Sequence, residues 1–388
     1  MTSYKLTILG TDYSENALID SVSITYGRNT ITEQPGPATF SCTLSVPDGT
    51  VIDPIGLDSV MNFQVYDTYQ SEWRNLFSGY VSDVAVTVGA WGNGNGLIEY
   101  VITGIGHLSR FNRVNVGVTG FVKKHEGDRI NAIMIDGAIT VGGPGIELPG
   151  AYELAAVSNG NYDALQLAQD AANSAMGVLC DTPDDDDVTL NPVTYVSYTS
   201  RSSAFDIALT GSEITAGGLS ISKSMTDIVN KAWVTYGASS NTNGTIYTDT
   251  GTNFDTTITG TRNTYLHNSS DANSVAQILL AARKTEQYKI SQITISENAC
   301  TAAILSDLYG IRNGWRLKIT TLPFNEVTNF DGFIEGWTWN INKNGSTLML
   351  NLSSYGQNFP YTLWNQVGTI TDTWNTIYTS TTTWEDVI

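Results

Sequence analysis

Basic side chains are scarce in this chain. Lysine and arginine number 19 against 38 aspartates and glutamates, a formal charge of −19. Affinity for nucleic acid rests on counterions released at Lys and Arg, so specific nucleic-acid binding is not expected. Cysteines are equally few: Cys42, Cys180 and Cys300 lie far apart with no C-x-x-C spacing, which argues against a disulfide framework or a zinc knuckle. Folding in a reducing cytoplasm follows. No run approaches the ~18 apolar residues of a membrane span. The start MTSYKLTILG lacks the basic and long apolar regions of an export signal, and a soluble chain with no membrane anchor is expected.

Catalytic motifs are also missing. His107, His125 and His267 are the only histidines, and none stands in a G-x-S-x-G elbow, an H-E-x-x-H helix or beside a cysteine partner. Thr182 to Asp187 reads TPDDDD and invites a calcium reading, but it lacks the alternating D-x-D-x-D-G spacing and the distant Glu of a calcium loop; a solvated turn is expected. Glu297 and Asp331 could form a glycosidase pair, yet nothing selects them over the other acids. The expectation is no catalytic, metal or cofactor site.

What the chain has in quantity is Gly, Thr, Asn, Ser and Tyr over 388 residues, a length for two or three domains and a composition for strands. Runs such as YKLTIL, ATFSCTLSV, VMNFQVYD and LIEYVITGI fill residues 3 to 105 with the period-two alternation of antiparallel strands. GAWGNGNG, Gly89 to Gly96, reads as a hairpin turn, because Asn and Gly tolerate positive φ. Between residues 114 and 225 the texture changes. Ile130, Ile133 and Met134 mark one helix; Leu165, Ala168, Ala172 and Met176, after a cap at Asn161, mark another.

An echo organises the rest. LFSGYVSDV, Leu76 to Val84, returns as NFDGFIEGW, Asn329 to Trp337, so that Phe77 and Gly79 fall on Phe330 and Gly332 at an offset of 253 (77 to 330). The same offset lays Ala38 to Leu44 over Ser291 to Glu297, placing Phe40 on Ile293 and Cys42 on Ile295. SITYG, Ser23 to Gly27, matches WVTYG, Trp233 to Gly237, at a smaller offset of 210 (23 to 233). An insertion in the second copy would explain the difference, with a helix capped by Ser270 and carrying Val275, Ile278, Leu279 and Ala282. The sequence thus predicts a mainly β protein with α+β insertions and two tube-like antiparallel β-barrels related by internal duplication. The expected domains are 1–113, first barrel; 114–225, α/β segment; 226–238 plus 291–360, second barrel interrupted by 239–290; and 361–388, an extended C-terminal arm.

These residues resemble the tail hub proteins of tailed phages, baseplate hubs and tail-tip hubs alike. The resemblance is carried by LFSGYVSDV running into YVITGIGHLSRF (Tyr100 to Phe111), by TDIVNKAWVTYG (Thr226 to Gly237), and by DLYGIRNGWRLKITTLP (Asp307 to Pro323) followed by FDGFIEGWTWNI. It covers most of residues 1 to 360. It implies a virion structural protein of the tail tip, made in the host cytoplasm: a homotrimeric ring that caps the tail tube and adapts six-fold to three-fold symmetry. A channel for genome passage is implied too, with the tail tube or distal tail protein, the tape measure and other tail-tip proteins as partners. A six-fold distal tail ring protein, a carbohydrate-binding β protein and a glycosidase are the alternatives. Beyond Tyr361, W-x-x-aliphatic repeats every ten residues at Trp364, Trp374 and Trp384. Ten is even, so an extended chain presents all three rings on one side, either to a neighbouring subunit or partner protein or to the chain's own strands.

Overall fold

The computed structural model describes residues 3–14, 18–47, 52–88, 97–140, 145–183, 192–201, 204–224, 228–237, 243–248, 258–283, 288–325, 327–342 and 345–358. The first hundred residues form β1 (Tyr4–Ile8), β2 (Leu18–Gly27), β3 (Thr39–Pro47), β4 (Val60–Asp67), β5 (Glu72–Val88) and β6 (Leu97–Ile105). Their inward positions are the apolar members of the alternation: Phe40, Cys42, Leu44 and Val46 in β3, and Met61, Phe63 and Val65 in β4.

Two helices follow. α1 (Glu126–Asp136) buries Ile130, Ile133 and Met134 as its spacing predicts. α2 (Ala164–Ser174) starts two residues later than the expected cap: the carboxylate of Asp163, not Asn161, accepts from the Gln166 amide at 2.8 Å. Next come β7 (Ile207–Thr210) and β8 (Ile214–Ser222), then β9 (Lys231–Tyr236), β10 (Asn243–Thr248) and β11 (Thr259–Asn263), which make a separate three-stranded sheet. α3 (Ser269–Arg283) is preceded by Asn268, whose side chain accepts from the Asp271 amide, so the cap lies before Ser270. The chain then forms β12 (Lys289–Ser296), α4 (Ala302–Tyr309), β13 (Arg316–Thr320), β14 (Phe330–Asn342), β15 (Gly345–Ser354) and α5 (Tyr355–Asn358).

The fold is mainly β with α+β parts, but the two expected barrels are not there. Both halves belong to one open 13-stranded sheet in the order β8-β12-β15-β14-β2-β3-β6-β5-β4-β1, extended by Thr11–Asp12 beyond β1 and by β13 and β7 on β14. The reason is in the pairing of β14. Its first residues take β13 as partner (Phe330 opposite Ile319), and past Glu335 the same edge takes β2 of the other half (Gly336 opposite Gly27, Ile341 opposite Val22). A strand that would have closed one unit on itself instead joins the two units side by side.

The apolar interior divides in two. One core lies on the large sheet and draws on both halves, from Leu6, Phe40, Phe63 and Phe77 to Ile293, Ile319 and Trp337. The other gathers α1, α2, α3 and the small sheet, with Ala232 and Val234 of β9 among its members. The structure therefore puts Trp233–Gly237 away from the large sheet; by pairing, the counterpart of β2 is β8, since β2 lies beside β3 as β8 lies beside β12.

Candidate functional site

The join between the halves brings buried charges and close backbone contacts together. At its centre is Glu335, fully buried on β14. A carboxylate there demands cations, and two are supplied: Arg28 just after β2, at 2.6 Å, and Arg201 at 2.7 Å, both with side chains about 2% exposed. Ser353 of β15 donates a 2.5 Å hydrogen bond to the same carboxylate. Burial pushes Glu335 upward, but Arg201 and Arg28 outweigh it and hold the group at about 2. Its backbone carbonyl accepts from the Arg28 amide at 2.8 Å and from the Asn313 side chain at 2.6 Å.

Close backbone contact accompanies the charges. Gly27 has φ +77°, and a Cβ there would lie 2.4 Å from the Glu335 oxygen; a Cβ on Gly336 would meet the Arg28 oxygen at 2.6 Å. Only glycine fits two backbones this near. Beside them Tyr26 stacks on Trp337 with centroids 5.1 Å apart, and a run of rings continues through Phe77 and Phe40 to Phe63.

The four residues of the echo sit on β5 and β14. Phe77 opposes Phe63 and Gly79 opposes Met61; Phe330 opposes Ile319 and Gly332 opposes Leu317. A Cβ on Gly79 would meet the Ile105 oxygen at 2.4 Å and the Phe77 ring at 2.8 Å. On Gly332 it would meet the Ser353 oxygen at 2.2 Å and the Phe330 ring at 2.5 Å. In each half the ring two residues earlier lies over the glycine and the next strand's carbonyl closes on it. Each long strand also has a bulge at the matching place: pairing with the next strand shifts between Val81 and Asp83, and between Ile334 and Gly336. Ser82 and Glu335 are thus counterparts at the same 253-residue offset (82 to 335).

Rows across the sheet extend the match. Asp83, Thr103, Ser41 and Ser23 lie side by side on β5, β6, β3 and β2. Gly336, Asn351, Gln292 and Ser220 do so on β14, β15, β12 and β8. By this row the counterpart of Cys42 is Ile293, two residues earlier than the sequence offset had placed it, a shift that leaves inward parity intact.

A second buried carboxylate ties the two cores together. Asp181 accepts from the amides of Ala38 and Leu108, both at 2.7 Å, and a Cβ on Gly106 would overlap it. Burial raises it to about 7 against the pull of these donors. No spacing or motif in the sequence singles out Glu335, Asp181, Arg28 or Arg201. The one available signal was the broken alternation in FIEGW, where Phe333, Ile334, Glu335 and Trp337 are all buried.

The remaining sequence candidates are dispersed. His107 is buried against Ser78 at 3.2 Å and lowered to about 4 by burial. Asp331 is held by Arg316, while Glu297 lies near the Tyr4 hydroxyl at 3.4 Å. No group of three or more His, Cys, Asp or Glu poised for a metal occurs among the described residues. Trp364, Trp374 and Trp384 lie outside the described residues, as do Asp184 to Asp187 and Gly89 to Gly96.

No protein-family model matches this chain, and no curated protein matches it either. Solved structures do. The 43 kDa tail protein of prophage MuSo2 from Shewanella oneidensis superposes with a TM-score of 0.60 at 10% identity, over 92% of this chain and 100% of that one. A tail protein from Neisseria meningitidis MC58 gives 0.59 at 12% identity, over 92% and 98%. An Escherichia coli component of the type VI secretion system, described as structurally similar to T4 bacteriophage tail proteins gp27 and gp5, gives 0.53 at 10% identity, over 92% and 79%. This chain has the fold of those proteins.

Proposed function

We propose that the chain is a structural hub of a phage tail tip or baseplate, without catalytic activity, and that three copies form a ring capping the tail tube. The observation that carries this reading is the join at Glu335. Two repeated sheet units stand side by side in one chain, each with the same long bulged strand, as an internal duplication would leave them. Three such chains offer six similar units, which suits a six-fold tube above and three-fold components below. The shared fold with solved tail proteins supports it.

Head-to-tail contacts between unlike surfaces generate rings when the rotation closes. The charge of −19 fits such a ring's bore, where acidic walls would keep a sliding genome from sticking. The tube or distal tail protein, the tape measure and other tail-tip proteins are the partners this assigns, with Trp364, Trp374 and Trp384 as docking groups on the arm. Electron micrographs of particles labelled with an antibody to this chain test the reading. Label at the tail tip is expected; label along the shaft, on the capsid or on no particle contradicts it.

A further inference from the structure

Thr32 after β2, Asn173 of α2, Arg262 of β11 and Leu279 of α3 enclose a cleft away from the join. Its main chamber measures about 280 Å³, with Val229, Gly260 and Leu279 as the apolar part of its wall. Gly260 contributes no side chain, which leaves that wall open to a flat ring. The chamber runs on into a narrower recess at Met176, Tyr198 and Ile278. Arg262 and Arg283 line both parts, so a chain of charge −19 sets two guanidinium groups on one cavity.

Arg262 lacks an anion there. Its Nε and Nη2 donate to the Asn173 carbonyl at 3.1 and 2.7 Å, and Nη2 donates to the Asn173 side-chain oxygen at 2.7 Å. Both acceptors are neutral, and Nη1 has no hydrogen-bond partner among the described residues. Burial, Arg28 and Arg283 all push Arg262 down, to about 10, and no carboxylate among the described residues pulls the other way. The nearby charge of Arg28 is already matched by Glu335. A half-buried cation on a cavity wall, held only by neutral oxygens, is a place for a carboxylate.

The C-terminal arm has the matching chemistry. Residues 359–388 hold Asp372, Glu385 and Asp386 and no lysine or arginine. Among the three W-x-x-aliphatic repeats only the last has an acid two residues after the ring: Gln366 follows Trp364, Thr376 follows Trp374, and Asp386 follows Trp384. Residues two apart lie on one side of an extended chain, roughly 7 Å from each other, so Trp384 and Asp386 can enter one cleft together. The arm also starts beside this cleft: α5 packs against α3, and Tyr355 lies within electrostatic reach of Tyr198. The 25 residues from 359 to 383 give Trp384 up to roughly 80 Å of reach. Tethering makes the docking intramolecular, so a modest affinity fills the site. We propose that Trp384 and Asp386 occupy the cleft of their own chain, the indole on Val229, Gly260 and Leu279 and the carboxylate on Arg262. The ring then also lies beside Arg283, a pairing that aromatic faces favour. Docking of this kind is independent of the hub reading and leaves Trp364 and Trp374 for other tail proteins.

Fluorine NMR of the full chain carrying 5-fluorotryptophan tests this, with Trp384→Phe identifying the Trp384 signal among the nine tryptophans. That signal is expected away from the position of free tryptophan and shielded from a soluble paramagnetic quencher. Asp386→Arg, a change on the arm, should return it to the free position and expose it to the quencher. Arg262→Glu should do the same, and the two changes together should restore the docked signal. A Trp384 signal at the free position in the unaltered chain, one that Asp386→Arg leaves in place, or a double variant that does not recover it overturns the proposal. Where the Trp337 and Trp339 signals show that Arg262→Glu disturbs the fold, the Asp386→Arg result decides alone. Mixing fluorinated Arg262→Glu chains with an excess of unlabelled Trp384→Phe chains, whose clefts are intact, separates docking within a chain from docking on a neighbour. The signal is expected to stay free, and its return to the docked position overturns the own-chain assignment.

Discussion

Glu335 shows what a single residue does here. Removing one partner of a buried ion pair leaves uncompensated charge and costs about 3–5 kcal/mol, so Glu335→Gln is expected to lower unfolding stability by that order in urea titrations. The pH dependence has a definite sign. Glu335 is held at about 2, below its unfolded value, so its contribution is complete above pH ~4.5 and is lost as pH falls toward 2. Asp181 works oppositely. Raised to about 7, it favours the folded state most below pH ~4, and that advantage disappears as pH rises through 7. Asp181→Asn should therefore flatten the stability profile between pH 4 and 7; an unchanged slope would show that another group titrates there. Neither acid was legible in the sequence, since Glu335 depends on arginines 307 and 134 positions away and Asp181 on backbone amides 143 and 73 positions away. Such partners leave no local spacing to read.

At the level of elements, the legible part was whatever repeats locally. The Phe-x-Gly-aromatic echo was visible because a close approach of backbone to ring admits only glycine, at Gly79 and Gly332 alike. Gly79→Ala and Gly332→Ala are each expected to cost roughly 2 kcal/mol or more, as each new methyl would meet a strand carbonyl that cannot move away. Gly36→Ala, with nothing within 4 Å, is the neutral control in the same denaturation experiment. Register was less legible. The β3 and β12 match came out two residues off because alternation has period two and cannot tell a shift of two from none. WVTYG misled for a related reason: Val and Tyr alternate in any half-buried strand, and Trp233, at 39% exposure, faces outward on the small sheet. The true counterpart of β2, ITAGGLSIS, keeps only Ser220 and Ile221 in common with it, at Ser23 and Ile24, and carries two glycines. Closure into barrels is not legible on the same grounds, because alternation specifies a sheet face but not where the sheet ends or what joins its edges.

For the whole molecule, one chain supplies two similar sheet units, and on the proposed reading three chains supply a ring of six. The in-chain join at Glu335 sets how two units meet, with Gly336 opposite Gly27 and Ile341 opposite Val22. A chain that associates head to tail through unlike surfaces either closes or grows into a filament, and the proposed hub role requires closure. The most direct test is the native mass of the purified full chain at neutral pH and moderate salt. The account predicts one closed species of three times the 42.0 kDa chain mass; a stable monomer, a six-copy ring or an open-ended series of larger species would contradict it.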